Sequence, residues 1–201
     1  MPNFQAVLRT WRRLVRALAV GAILSGALIA VAFPAPVAAQ GFFDMPIASA
    51  VRKNDIEELR RALLNGASPN TKLADGTPVV VLAASLKNRE ALKVLLDEGA
   101  RPDDRAENEA TALTIAAQLG DADMAQMLLK AGADPDRTGE TAETPLIKAA
   151  RAGSEAVTQL LIDAGADVNE TDATGRTALE AARDRGQRKV EALLLAAGAS
   201  E

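Results

Sequence analysis

Beyond residue 44 the apolar positions of this chain fall into pairs of short segments, and the pairs repeat. Each pair opens with an apolar stretch near a threonine that runs through two alanines or their near equivalent. It breaks at polar residues and resumes in a second stretch ending in leucines. A Gly-Ala dipeptide then closes the unit, at 66–67, 99–100, 132–133, 165–166 and 198–199, a constant step of 33 residues. A fixed step in the range of about 20–50 residues is the mark of a stacked-repeat architecture. Two helices are predicted per unit. Thr111, Thr144 and Thr177 stand where a hydroxyl accepts an otherwise unpaired amide at a helix start. Pro145 suits the first helical position, and Gly120, Gly153 and Gly186 suit the left-handed residue that ends the first helix. The second helix runs through Met127-Leu128-Leu129 or Leu193-Leu194-Leu195 and stops at the next Gly-Ala. Helices of about two to three turns are marginal alone in water, so each unit must bury its apolar side against its neighbours. The alanine pairs let adjacent first helices approach closely.

The clearest unit reads Thr144-Pro145-Leu146-Ile147-Lys148-Ala149-Ala150-Arg151-Ala152-Gly153, then Val157, Leu160-Leu161-Ile162 and Gly165-Ala166-Asp167-Val168-Asn169. It resembles the ankyrin-repeat signature of Thr-Pro-Leu-His, Ala-Ala, Gly, a leucine run and Gly-Ala-Asp-Val-Asn, and the resemblance extends over 44–201. It implies an all-α solenoid of about five helix-turn-helix units, 44–73, 74–106, 107–139, 140–172 and 173–201, joined by β-hairpin-like turns. Two departures stand out. Asp75-Gly76-Thr77-Pro78 carries the Thr-Pro pair one residue early, so Thr77 is expected to cap and its helix to begin one position early. The signature histidine is replaced throughout, by Ala48, Val81, Thr114, Ile147 and Glu180, which implies fewer polar cross-links in the same fold. Both end units are charged, with Glu57, Glu58, Arg60 and Arg61 in the first and Arg183, Asp184, Arg185, Arg188, Lys189 and Glu191 in the last. Both read as caps facing solvent. The chain stops three residues after Gly198, where a unit ends, and no further domain is expected.

Residues 1–39 follow another pattern. Arg9, Arg12, Arg13 and Arg16 precede an apolar run from Ala17 to Phe33, then Pro34, Pro36 and Val37-Ala38-Ala39, and no acid occurs before Asp44. This is the layout of a secretory signal, with cleavage expected between Ala39 and Gln40. The alternative is a retained inner-membrane anchor, since the run reaches the lower limit of about 17–25 residues needed to span. Arg12-Arg13 hints at twin-arginine export, but its surroundings fit that signal poorly and the Sec route is expected. Residues 40–43 form a short linker, and Phe42-Phe43 either pack over the first unit or stay loose in it. The expected location is the periplasm of a Gram-negative bacterium or the medium.

Composition narrows the chemistry. The chain has no Cys, His or Tyr, which removes disulfides, thiolate nucleophiles, imidazole bases and the usual zinc and haem ligands. Beyond residue 39, 19 Lys and Arg face 27 Asp and Glu, a balance of −8 that disfavours nucleic acid and anionic lipid as partners. Asp134-Pro135-Asp136-Arg137-Thr138-Gly139 imitates the opening of a calcium loop, but its twelfth position is Pro145 rather than the required Glu, so a connecting turn is expected. Asp167 and Asn169 stand in the same register and read the same way. Asp103-Asp104 and Glu140/Glu143 are available carboxylates on predicted turns, with no aromatic platform for a sugar. No phosphate loop or nucleophile elbow occurs. No enzyme, cofactor or metal is expected, and a hydrolase is the weakest alternative.

What remains is surface. The resemblance implies a concave face built from the hairpin tips and from two residues near the end of each first helix. Those helix positions are Arg52 and Lys53, Ser85 and Leu86, Gln118 and Leu119, Arg151 and Ala152, and Asp184 and Arg185. The tips include Arg105, Glu107, Arg137 and Glu140. Leu86 and Leu119 stand one unit apart at positions of exposed type, and either form an apolar centre within a polar rim or pad the groove between helices. The expected function is non-catalytic binding of a protein partner through Leu86, Leu119, Gln118, Arg151, Arg105, Glu107, Arg137 and Glu140, by a monomer that leaves the membrane once its signal is cleaved.

Overall fold

The computed structural model describes residues 40–200, with side chains from Pro46 onward except that of Glu140. The expected leader and the Ala39 side of its cleavage site lie outside the described residues, as does the packing of Phe42 and Phe43. Among the described residues ten α-helices follow one another: α1 Gln40–Lys53, α2 Ile56–Leu64, α3 Val79–Ser85, α4 Arg89–Asp97, α5 Ala112–Leu119, α6 Ala122–Lys130, α7 Pro145–Ala152, α8 Glu155–Asp163, α9 Ala178–Asp184 and α10 Arg188–Ala196. The odd-numbered helices pack against one another in sequence, α1 on α3 through to α7 on α9, and the even-numbered helices form a second row. Among the described residues the fold is all-helical, and no helix is long and apolar enough to cross a membrane.

The step of 33 survives in three dimensions. First helices from α3 onward begin at Val79, Ala112, Pro145 and Ala178, and every second helix is nine residues long. The buried strip between the rows is built from equivalent positions. Ile47, Val80, Leu113, Leu146 and Leu179 fill one, and Ala50, Ala83, Ala116, Ala149 and Ala182 another, all of them buried. One methyl group at the second position is what lets neighbouring first helices meet.

The caps follow the same period. Thr111, Thr144 and Thr177 each accept the amide three residues on, and Thr114 and Glu180 return a bond to the amide of Thr111 and Thr177. Two residues that replace the signature histidine thus serve as local caps. Second helices are capped by Asp55, Asn88, Asp121 and Ser154, again 33 apart. Gly120 and Gly153 are left-handed C-caps, whereas α9 ends on Arg185 and Gly186 takes the left-handed place one residue later.

Two expectations need correction. Thr77 does not cap and α3 does not start early: the N-cap is Pro78, without a side-chain bond, in the same register as the three capping threonines. The connecting turn holds it there, because the Thr77 carbonyl accepts from Leu73 N at 2.8 Å and Val79 N donates to the Thr71 carbonyl at 3.0 Å. The first helix also takes in residues 40–43, expected as a linker, with Pro46 inside it at the register of Pro145.

The turns between units resemble hairpins without becoming strands. Each is closed by a backbone bond across five residues: Leu73 to Thr77, Ala106 to Ala110 (3.0 Å), Gly139 to Glu143 (2.9 Å) and Asp172 to Arg176 (2.9 Å). Only Lys72 and Pro78 form a β-bridge among the described residues. A second set of bonds joins consecutive units. The side chains of Asn70, Asp103, Asp136 and Asn169 accept from the amides of Arg101, Asp134, Asp167 and Ser200, at 2.7–3.0 Å.

Candidate protein-interaction surface

The C-terminal ends of the first helices lie in one row, because α1, α3, α5, α7 and α9 pack side by side and end within one residue of the same register. Leu86 is the C-cap of α3 and Leu119 the last residue of α5, and both stay substantially exposed, at 48% and 39%. One turn earlier on the same helix faces stand Leu82 and Ile115, half-buried against the core. A four-residue spacing puts such pairs on one side of a helix, so four apolar side chains make a patch across two units.

The next two units each place one alanine and one cation at these positions. Ala152 and Arg185 occupy the leucine position, and Lys148 and Ala181 the position of Leu82 and Ile115. Gln118, Lys148, Arg151, Ala152 and Arg185 line an open groove of about 240 Å³. Glu143 lies beneath it, buried just ahead of α7, with Oε2 at 2.5 Å from Lys148 Nζ and Oε1 paired to Arg151 Nη1. The Arg151 guanidinium also comes within 4.0 Å of Asp172. Two of the groove's cations are therefore held from below, while Arg185 is exposed and forms no ion pair among the described residues.

Asp172 closes the turn before α9. Its Oδ1 accepts from Thr174 N (2.8 Å), Thr174 Oγ1 (2.5 Å) and Arg176 N (3.1 Å). Burial alone would raise its carboxyl, but the bonds from Thr174 and Arg176, together with the Arg176 charge, outweigh that and hold it below the ordinary carboxylate range.

Of the residues singled out in the sequence, Leu86, Leu119, Gln118 and Arg151 come together in this row. Arg105, Glu107 and Arg137 sit on connecting turns. Arg105 pairs with Glu109 at 2.6 Å, and Glu107 packs its Cγ over Gly76, where an added methyl group would come within 2.8 Å. Arg137 is exposed, and the Glu140 side chain is outside the described set. Leu82, Ile115 and Lys148 were missed as members of the surface, and Glu143, a tip residue in the sequence reading, was missed as the partner of Lys148 and Arg151. Leu82, Ile115 and Lys148 could have been found by counting one helical turn back from the row.

The carboxylates considered for chemistry whose side chains are described are engaged in structure. Asp103 and Asp136 accept bonds from the following unit, Asp134 accepts from Asp136 N at 3.0 Å, and Asp104 pairs with Arg101 at 3.2 Å. No cluster of three acidic side chains suited to a metal occurs among the described residues. Residues 47–139 and 136–200 match the family model described as ankyrin repeats (3 copies). This chain belongs to the ankyrin-repeat family. No curated protein matches it significantly. Ankyrin repeats generally mediate protein–protein interaction and are typically non-catalytic. In this ankyrin stack the row of first-helix ends is where apolar and charged side chains are presented together.

Proposed function

We propose that this protein is a non-catalytic binding module, working as a monomer in the periplasm or outside the cell, that holds a partner protein through the row of first-helix ends. The observation that carries the reading is the pair Leu86 and Leu119, exposed at equivalent places on two packed helices and bordered by charge. An apolar centre with a polar rim is the general form of a protein interface, and the absence of Cys, His and Tyr leaves few side chains for catalysis. Export rests on the basic, apolar and small-residue order of 1–39, with Gln40 as the mature N-terminus.

The Leu86→Asp, Leu119→Asp double variant tests the binding half. Helix content and melting should stay close to the parent's while partner capture from the exported fraction is lost, and unchanged recovery of the same partner rejects the surface. Intact mass of the protein from its host tests the other half. A species starting at Gln40 supports export with cleavage, and a full-length species in the membrane fraction replaces it with a tethered scaffold.

A further inference from the structure

The row of first-helix ends runs against the charge of the rest of the domain. Beyond residue 39 acids outnumber bases by 27 to 19, yet the ten positions of the row carry Arg52, Lys53, Arg151 and Arg185 against one acid, Asp184. That acid lies 3.7 Å from Arg176. The cations are grouped at the two ends of the row, with the exposed leucines between them. On the C-terminal side the groove lined by Gln118, Lys148, Arg151, Ala152 and Arg185 has three cations, of which Lys148 and Arg151 are paired to the buried Glu143 and Arg185 is exposed and unpaired among the described residues. At about 240 Å³ the groove is smaller than the roughly 300–1,000 Å³ typical of small-molecule pockets. It suits a side chain of a larger partner.

Resting on the binding reading above, we propose that the row docks an acidic segment of another protein, with apolar side chains on Leu86 and Leu119 and a carboxylate in the groove between Gln118 and Arg185. Arg151 is fixed in place between Glu143 and Asp172 with its Nη2 buried, so it and Lys148 form the anchored wall of the groove. Arg185 supplies the exposed, unpaired charge that a ligand carboxylate would meet. A polyanion is the poorer occupant: the row offers leucines but no aromatic ring for a base to stack on, and the domain's balance of −8 repels an extended phosphate backbone.

The test is selection of random twelve-residue displayed peptides on the protein, repeated on the Leu86→Asp, Leu119→Asp variant and on Arg185→Glu. Arg185 is exposed and unpaired among the described residues, so its variant changes charge without disturbing the stack. Enriched peptides should carry net negative charge and at least two apolar residues, and should lose affinity tenfold or more on either variant. Binding should also weaken several-fold between about 50 and 300 mM salt. Peptides that are neutral or basic, sensitive to the leucines but not to Arg185, overturn the acidic ligand and leave the binding surface standing. Failure to enrich any peptide that depends on Leu86 and Leu119 overturns both. Tight binding of a single-stranded oligonucleotide that Arg185→Glu abolishes, or a dimer that the leucine variant dissolves, overturns the proposal in favour of those occupants.

Discussion

Lys87 holds the left-handed conformation, φ 56°, that Gly120 and Gly153 hold one and two units further on, and Asn54 holds it one unit before. The place is fixed by the repeat and not by the residue. A side chain with a Cβ pays roughly 1 kcal/mol there relative to glycine, less the extra freedom glycine gains when unfolded. Lys87→Gly should therefore raise stability by up to about 1 kcal/mol, read as a higher denaturant midpoint with an unchanged slope. Such positions show where sequence reading succeeds and where it stops. The glycines at 120, 153 and 186 announce the conformation, but nothing in Lys87 alone does; only counting 33 residues from its neighbours finds it. Leu86 and Leu119 were legible by the same counting. Glu143 was legible as a turn residue but not as the anchor of Lys148 and Arg151, because its role depends on how the turn folds back over α7.

At the scale of elements, each first helix depends on the turn that delivers it. The turn before α9 is organised by Asp172, whose folded-state pKa lies below the unfolded value of about 3.9. A depressed carboxyl contributes stability that is fully present above the unfolded value and disappears as pH falls through the folded one. Asp172→Asn should cost about 1–2 kcal/mol at pH 7, and the gap to the parent should close below about pH 4, measured by urea unfolding across pH 2–7. The turn before α3 explains the failed expectation for Thr77. Locally, Thr-Pro reads as a cap followed by a first helical residue, a motif that Thr144-Pro145 fulfils. Around Thr77 the closing bond to Leu73 engages its carbonyl, and Asp75 accepts its amide at 3.0 Å, so the turn overrides the motif. Helix type and spacing were thus readable from periodicity, while the exact start of α3 belonged to non-local bonds.

Across the whole molecule, the two end units differ from the inner ones at the positions that would face a further unit. In the first, Glu58 and Arg61 stand where later units have Ala91, Met124, Val157 and Val190, and Val94, Met127, Leu160 and Leu193. In the last, Arg183 and Glu191 replace the buried Ala84, Ala117 and Ala150 and the buried Leu92, Ala125 and Thr158. They pair with each other at 2.8 Å across the exposed end of α9 and α10. Such a surface ion pair adds little stability; its effect is to keep the end from offering an apolar face. Arg183→Ala with Glu191→Leu should restore that face and produce concentration-dependent association in sedimentation velocity, with the parent remaining a single species. The alanine row also sets how such a chain comes apart. Ala50, Ala83, Ala116, Ala149 and Ala182 form a strip with no middle, each methyl answering only to the unit before and after it. Damage at one junction is felt there and hardly elsewhere, so the protein unravels from its tips like a stack of coins sliding off one by one. A ligand lying across Leu86 and Leu119 would clasp the second and third coins together.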